Sequence, residues 1–261
     1  MSFSLPEADL QTLVKAAADY GYDGIEPRID GGHGHGIETS NSAAERQRIK
    51  GVFDDAGVAV ACIAAGCTFA DASQAAEQQE KARAAIDLAA DLGSDRVRVF
   101  GGKLPDGVSR EEATVALTDS LTALAPYAAD HGVIIALETH DAWTAPEHVA
   151  EVMRRVDDPA IGVNWDLMHP PRTGNSTMED SYQVLRQWIR HVHMHDATSD
   201  PSKLDFKPMG EGEFDHRIVL RLLQEDNYTG YLSGEWIGWE PGDVHLPREI
   251  KVLREYEKAL A

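Results

Sequence analysis

Cysteine is nearly absent from these 261 residues: Cys62 and Cys67 are the only two. They form no CxxC pair, so neither a structural zinc site nor a redox couple is indicated, and both are expected reduced and buried, Cys62 on a strand. Long apolar runs are missing as well. No stretch approaches the roughly 18 residues needed to cross a bilayer, so no membrane span is expected. Positive charge is scarce, with 24 Lys and Arg against 44 Asp and Glu and a formal charge of −20. Such a surface repels phosphate backbones and argues against nucleic-acid or anionic-membrane partners, leaving a small neutral or weakly charged substrate. Only eight of the 24 basic residues are Lys, and Asp slightly exceeds Glu. One reading of that balance is a saline habitat, which predicts stability rising up to molar KCl. The first nine residues carry neither the basic nor the apolar region of a signal peptide, so the expected location is cytoplasmic.

What is present is regular. With 43% hydrophobic residues the chain can bury a sizeable core. Short β-branched runs at 23–26, 58–64, 96–100, 133–138, 162–166, 189–195 and 230–236 alternate with amphipathic stretches at 7–19, 42–56, 73–92, 110–131, 145–156, 178–187, 215–226 and 246–260. That alternation is the signature of repeated βα units around a parallel sheet. Residues 2–5 supply an eighth, unusually short strand ahead of Pro6. Gly21, Gly57, Gly93 and Gly132 fall where helices should stop. No G-x-G-x-x-G follows the first strand, so a dinucleotide fold lacks its fingerprint. The expected architecture is a single domain over 1–261, a (β/α)8 TIM barrel with a short first strand, a fold that typically takes about 250 residues. Loops at 31–36, 170–174 and 199–212 follow strands, on the rim where such barrels place their active sites.

Four consecutive strands end in a potential metal ligand: Leu137-Glu138, Trp165-Asp166, Val192-His193 and Gly234-Glu235. Their separations of 28, 27 and 42 residues are each about one βα unit, so a barrel brings them together at one end. Three carboxylates and an imidazole make a mixed oxygen and nitrogen site for one divalent ion. Mn²⁺ is the first choice, with Mg²⁺, Co²⁺, Fe²⁺ or Zn²⁺ as alternatives. Like charges so close oppose ionisation unless a dication offsets them. His191, His193 and His195 alternate along one strand and share a face. His193 is the expected ligand, His191 lies a layer deeper, and His195, nearer the mouth, takes the ligand role if the strand extends further.

Gly21-Tyr22-Asp23-Gly24-Ile25-Glu26, Leu137-Glu138-Thr139-His140, Asp166-Leu167-Met168-His169, His191-Val192-His193-Met194-His195-Asp196 and Gly210-Glu211-Gly212-Glu213-Phe214-Asp215, in that order, resemble the xylose-isomerase-like sugar isomerase and epimerase superfamily. The similarity covers nearly the whole chain. It implies that Glu138, Asp166, His193 and Glu235 hold a catalytic divalent ion and that His169 contacts substrate. Two positions depart from the pattern. Related enzymes often carry His-x-Lys-Asp where this chain has His193-Met194-His195-Asp196, so a lysine contact is missing or comes from Lys203 or Lys207. Ketose 3-epimerases carry Arg six residues after the His, where this chain has Ser199.

The chemistry implied is proton removal from carbon next to a carbonyl of a sugar or keto-sugar, with Glu138 and Glu235 as the acid and base of an isomerase or epimerase. A dehydratase or lyase on the same site, of the inosose dehydratase or 3-keto-glycoside eliminase kind, is the alternative; His169 or His140 then protonates the leaving oxygen. Further candidates for substrate binding are Glu26, which can equally stand behind a ligand, His195, Trp236 and Lys207. Arg98, mid-strand among apolar residues, needs a buried partner, and His33 and His35 sit in the glycine-rich loop. Two rivals remain: an endonuclease-IV-like repair enzyme, opposed by the net charge, and a noncatalytic subunit of a sugar-processing complex. A homo-oligomer or a hetero-complex is compatible with either.

Overall fold

The computed structural model describes residues 1–260. Helix α1 (Leu10–Tyr20) begins where the Asp9 carboxylate accepts from the Thr12 amide and stops at Gly21, whose φ of 83° suits a residue without Cβ. Helices α2 (Ala43–Ala56) and α4 (Arg110–Asp130) open on reciprocal capping boxes, Ser42 with Glu45 and Ser109 with Glu112. The others are α3 (Ala75–Leu92), α5 (Pro146–Val156), α6 (His169–Thr173), α7 (Met178–Leu185), α8 (His216–Glu225) and α9 (Gly242–Leu260). Among the described residues, no helix is long and apolar enough to cross a membrane.

Between them run the strands β1 (Gly24–Ile25), β2 (Ala59–Val60), β3 (Ile63–Thr68), β4 (Arg96–Phe100), β5 (Ile134–Glu138), β6 (Ile161–Asp166), β7 (Ile189–Met194), β8 (Asp196–Ala197), β9 (Phe206–Lys207) and β10 (Leu232–Gly234). Six form a parallel sheet in the order β10-β7-β6-β5-β4-β3, and β1 pairs in parallel with β2. The fold is a TIM barrel. Side chains alternate across it: Val97, Val99, Ile135, Leu137, Val163 and Val192 join the apolar core. Arg98, Asn164, Asp166, His191 and His193, two residues apart along their strands, belong to the buried polar set.

The structure corrects the expected elements in four places. Residues 2–5 form no strand: Ser2–Ser4 is a 3-10 turn, because the Ser4 and Leu5 amides donate back to Met1 and Ser2 carbonyls. Met1 and Ser2 link β10 to the residue after β1, the terminal ammonium donating to Gly234 O (2.8 Å) and the Ser2 amide to Glu26 O (3.0 Å). A cavity of about 480 Å³ opens beside this bridge, lined by Met1, Tyr22, Leu220, Leu232 and Leu253. Secondly, the run 58–64 is split into β2 and the start of β3. The β1 register places Pro27, which has no N–H to donate, opposite Cys62 at the break. The 170–174 loop is instead the short helix α6, with prolines in its first turn. Finally, α9 starts at Gly242, four residues before the expected 246, with Pro247 within its first turns.

Candidate metal centre

Parallel register delivers the four expected ligands to one level. Asp166 ends β6 directly beside His193 of β7, Glu138 ends β5, and Glu235 follows β10, its amide bonded to Met194 O. One ligand atom from each of Glu138, Asp166, His193 and Glu235 lies within 4.8 Å of all the others, and all four residues are buried. His193 Nδ1 is 3.3 Å from Glu235 Oε2 and 3.6 Å from Glu138 Oε2. Asp166 is aimed by its own backbone: Oδ1 accepts from the Met168 and His169 amides, at 2.7 and 3.0 Å, which leaves Oδ2 free. Among the described residues, Glu138 Oε1, Asp166 Oδ2 and His193 Nδ1 are buried without a hydrogen-bond partner. Leaving such atoms unpaired is costly. Inward-facing carboxylates with an imidazole nitrogen form the donor set a divalent cation accepts, so the residues fit one.

The charges support this. Three buried carboxylates, Glu26, Glu138 and Glu235, act on the buried guanidinium of Arg98, which is 1% exposed. Arg98 Nε lies 3.0 Å from Glu138 Oε2, off the line of a hydrogen bond, while Nη1 donates to Ala65 O and the guanidinium covers the Phe100 ring at 4.1 Å. Burial acts to lower the Arg98 pKa, but Glu138, Glu235 and Glu26 outweigh it and raise it. Burial likewise disfavours a charged His193, yet Glu26, Glu138 and Glu235 hold its pKa well above the imidazole value. For Glu235 burial pushes upward and loses to His193, so its carboxyl sits below the usual range. Asp166 is lowered against burial by His169 and His195.

At the mouth, aromatic rings run in series. His140 meets Phe100 (4.9 Å) and His169 (4.6 Å); His169 meets His195 (6.3 Å); His195 meets Phe206 (5.2 Å); and Phe206 meets Trp239 (6.0 Å). Glu138, His140 and His169 also have ligand atoms within 4.8 Å of one another. His195 is 1% exposed with neither ring nitrogen partnered among the described residues, and burial lowers its pKa. Its Nδ1 is 3.9 Å from Asp166 Oδ2. His140 is the opposite case: burial lowers its pKa, but Asp141, 3.1 Å away, and Glu138 raise it to about 9.

Other expected residues lie differently. Lys207 is half-exposed and paired to Asp205 at 3.0 Å. Trp236, 3% exposed, packs on Trp239, His245 and the Gly234 backbone. Glu26 turns to His191 and His193. His33 and His35 do not hang free: Gly34 packs on the Glu7 carbonyl, Ser2 Oγ lies 3.0 Å from His33 Nδ1, and His35 is buried. Phe206 and Phe100 escaped the sequence reading, since a lone aromatic in a loop or at a strand end carries no pattern. Arg98 was legible as needing a partner; that the partner is Glu138 was not.

A family model described as xylose isomerase-like TIM barrel matches residues 14–256. The chain is 23% identical to the 3-dehydroshikimate dehydratase of Bacillus anthracis, over 92% of this chain and 90% of that protein. Further curated relatives, hydroxypyruvate and 2-oxo-tetronate isomerases and inosose dehydratases among them, are matched over 52–62% of their own length. Of solved structures, a D-tagatose 3-epimerase-like protein superposes with a TM-score of 0.79 at 22% identity, covering 99% of this chain and 96% of that one. A TIM-barrel protein from Mycobacterium smegmatis, determined in complex with magnesium, superposes at 0.75 with 20% identity, covering 98% and 92%.

Proposed function

Because the chain belongs to the xylose isomerase-like TIM barrel family, we propose that Glu138, Asp166, His193 and Glu235 hold one divalent ion, Mn²⁺ first, and that the site isomerises or epimerises a sugar or keto-sugar. The observation that carries this reading is the convergence of four buried ligand atoms within 4.8 Å, three of them on residues with unpartnered polar atoms. When bound, the ion supplies Lewis acidity and positive charge at the substrate carbonyl. The chain's own residues do the rest. Glu235, beside the mouth, takes the proton from carbon next to that carbonyl. Glu138, paired with Arg98, serves the opposite side, and in an epimerisation one carboxylate removes the proton while the other returns it. His195, with both nitrogens free, and His169 bond substrate hydroxyls, and the ring series from Phe100 to Trp239 excludes water and stacks on the sugar. Glu26, Trp236 and Lys207 stand further back in this reading. The protein works in the cytoplasm, consistent with two buried free thiols.

Elimination of water is a second reading, favoured by His140. Its raised pKa, about 9, keeps it protonated at neutral pH beside Glu138. As carbon loses its proton to a glutamate, the C–O bond breaks and His140 gives its proton to the departing oxygen. A relative matched over 92% of this chain is a dehydratase.

The test is a screen of keto-sugars, inososes, 3-keto-glycosides and 3-dehydroshikimate with Mn²⁺ in D₂O. Deuterium uptake without loss of water marks the first reading; release of water or aglycone marks the second. Glu138→Gln and Glu235→Gln should each cut turnover by about 10²-fold or more, and Asp166→Ala or His193→Ala should lower metal content measured by elemental analysis. Full-rate exchange in Glu235→Gln would remove it from the chemistry.

A further inference from the structure

Below the four ligands lies a layer the proposed chemistry does not use. Glu26 follows β1, 1% exposed, and its carboxylate is shared by two histidines of β7. Glu26 Oε2 is 2.7 Å from His191 Nε2, and Oε1 and Oε2 are 3.0 and 3.1 Å from His193 Nε2. His191 Nε2 also lies 3.1 Å from Ser233 Oγ, so its ring is held from two sides. Carboxylate oxygens only accept, which requires His193 to carry its proton on Nε2. The other nitrogen, Nδ1, is the one that faces Glu138 and Glu235 and lacks a hydrogen-bond partner.

We infer that Glu26 is a positioning residue that fixes the tautomer and ring orientation of His193, presenting Nδ1 to the ion, and that His191 and Ser233 hold Glu26 in place for this task. The inference rests on the metal reading above. A carboxylate behind an imidazole ligand raises the basicity of the coordinating nitrogen as well as aiming it. Substrate contact is a poorer use of Glu26, because its two oxygens already serve two imidazole nitrogens. The chain brings this carboxylate from the far side of the ring, where Met1 and Ser2 supply backbone hydrogen bonds that link Gly234 of β10 to Glu26 after β1. The aim of a β7 ligand therefore depends on the closure of the barrel between its first and last strands.

The experiment uses the full chain stripped with a chelator and titrated with Mn²⁺ alone, affinity being read by chelator competition. Glu26→Gln keeps the shape and an accepting oxygen but drops the charge; Glu26→Ala drops both. Affinity should fall roughly 10-fold in the first and towards 100-fold in the second, with the melting temperature of metal-free Glu26→Gln within a few degrees of wild type. The second readout is the Co²⁺-loaded protein by proton NMR. Wild type should show a shifted, slowly exchanging ring N–H from His193 that disappears in D₂O, and Glu26→Ala should lose it to fast exchange. Unchanged affinity and an unchanged N–H signal in both variants would overturn the inference while leaving the metal reading intact. So would a large loss of stability in Glu26→Gln with metal affinity unmoved, which marks a structural role. If instead wild type binds no Mn²⁺, or binds it as well after His193→Ala, the metal reading itself fails.

Discussion

Arg98 shows what a single buried charge does here. Its guanidinium is paired with Glu138, and both side chains are essentially inaccessible. Removing one partner of such a pair leaves the other uncompensated, at a cost of about 3–5 kcal/mol. Arg98→Met, similar in length and apolar, should lower the unfolding free energy of the metal-free protein by that amount, measured by urea denaturation. Mn²⁺ should restore much of it, because the dication provides the lost counter-charge. Equal loss with and without Mn²⁺ would show that Arg98 matters for packing alone. The same residue marks how far sequence reasoning reaches. Four candidate strand-end ligands are visible because each closes one of four consecutive predicted strands, although the units between them differ in length. Individual side-chain contacts leave no such mark: nothing in the sequence pairs Arg98 of β4 with Glu138 of β5, or Glu26 with His193, which lie 167 residues apart.

Among the elements, the glycine-rich loop after β1 behaves as packed structure. The Ile37 amide donates to His35 Nδ1 at 3.0 Å, a bond that needs the neutral ring. Burial, helped by the charge of His33, holds the His35 pKa down to about 4, against 6.5 when exposed. A lowered folded pKa contributes stability that is whole above pH 6.5 and is lost as pH falls towards 4. His245, held near 4 by burial and Arg248, adds the same slope. The loss attributable to His35 between pH 7 and 4.5 is on the order of 2 kcal/mol. His35→Asn, which keeps an accepting atom and cannot gain that proton, should flatten the fall by about half; an unaltered profile would place the sensitivity elsewhere. The segment after β7 depends on a different atom. Asp196 Oδ2 accepts from the Gly210 and Gly212 amides, at 2.8 and 3.1 Å, and a Cβ on Gly212 would collide with Asp196 Oδ1. Gly212→Ala should therefore displace the carboxylate, cost about 2 kcal/mol, and speed proteolysis between 198 and 209. Helices and long strands were legible because periodicity and caps are local. The hairpin of β8 and β9, the helix α6 and the 3-10 turn at Ser2–Ser4 are each five residues or fewer per element, too short for a period of 2 or 3.6 to show in the sequence.

For the whole molecule the governing quantity is charge, −20 over 261 residues. Self-repulsion on that scale opposes the compact state and is relieved by salt, since the screening length falls from about 10 Å at 0.1 M to about 3 Å at 1 M. Salt also weakens surface ion pairs such as Lys15 with Asp19 and Lys81 with Glu77, but pairs this exposed contribute little. Repulsion among the excess acidic groups should dominate, so the melting temperature should climb by several degrees between 0.1 and 2 M KCl; a flat curve would show that the surface charges are too dispersed to matter. The buried carboxylates around His193 respond to a different agent. Mobile ions screen them little, whereas a cation bound among them stabilises by about 2.7 kcal/mol at a concentration 100 times its Kd. Melting curves with and without saturating Mn²⁺ should accordingly run parallel against KCl, offset by a constant amount. If the offset instead shrinks as KCl rises, K⁺ is competing for the centre, and the four ligands do not discriminate by charge as the reading of a divalent site requires.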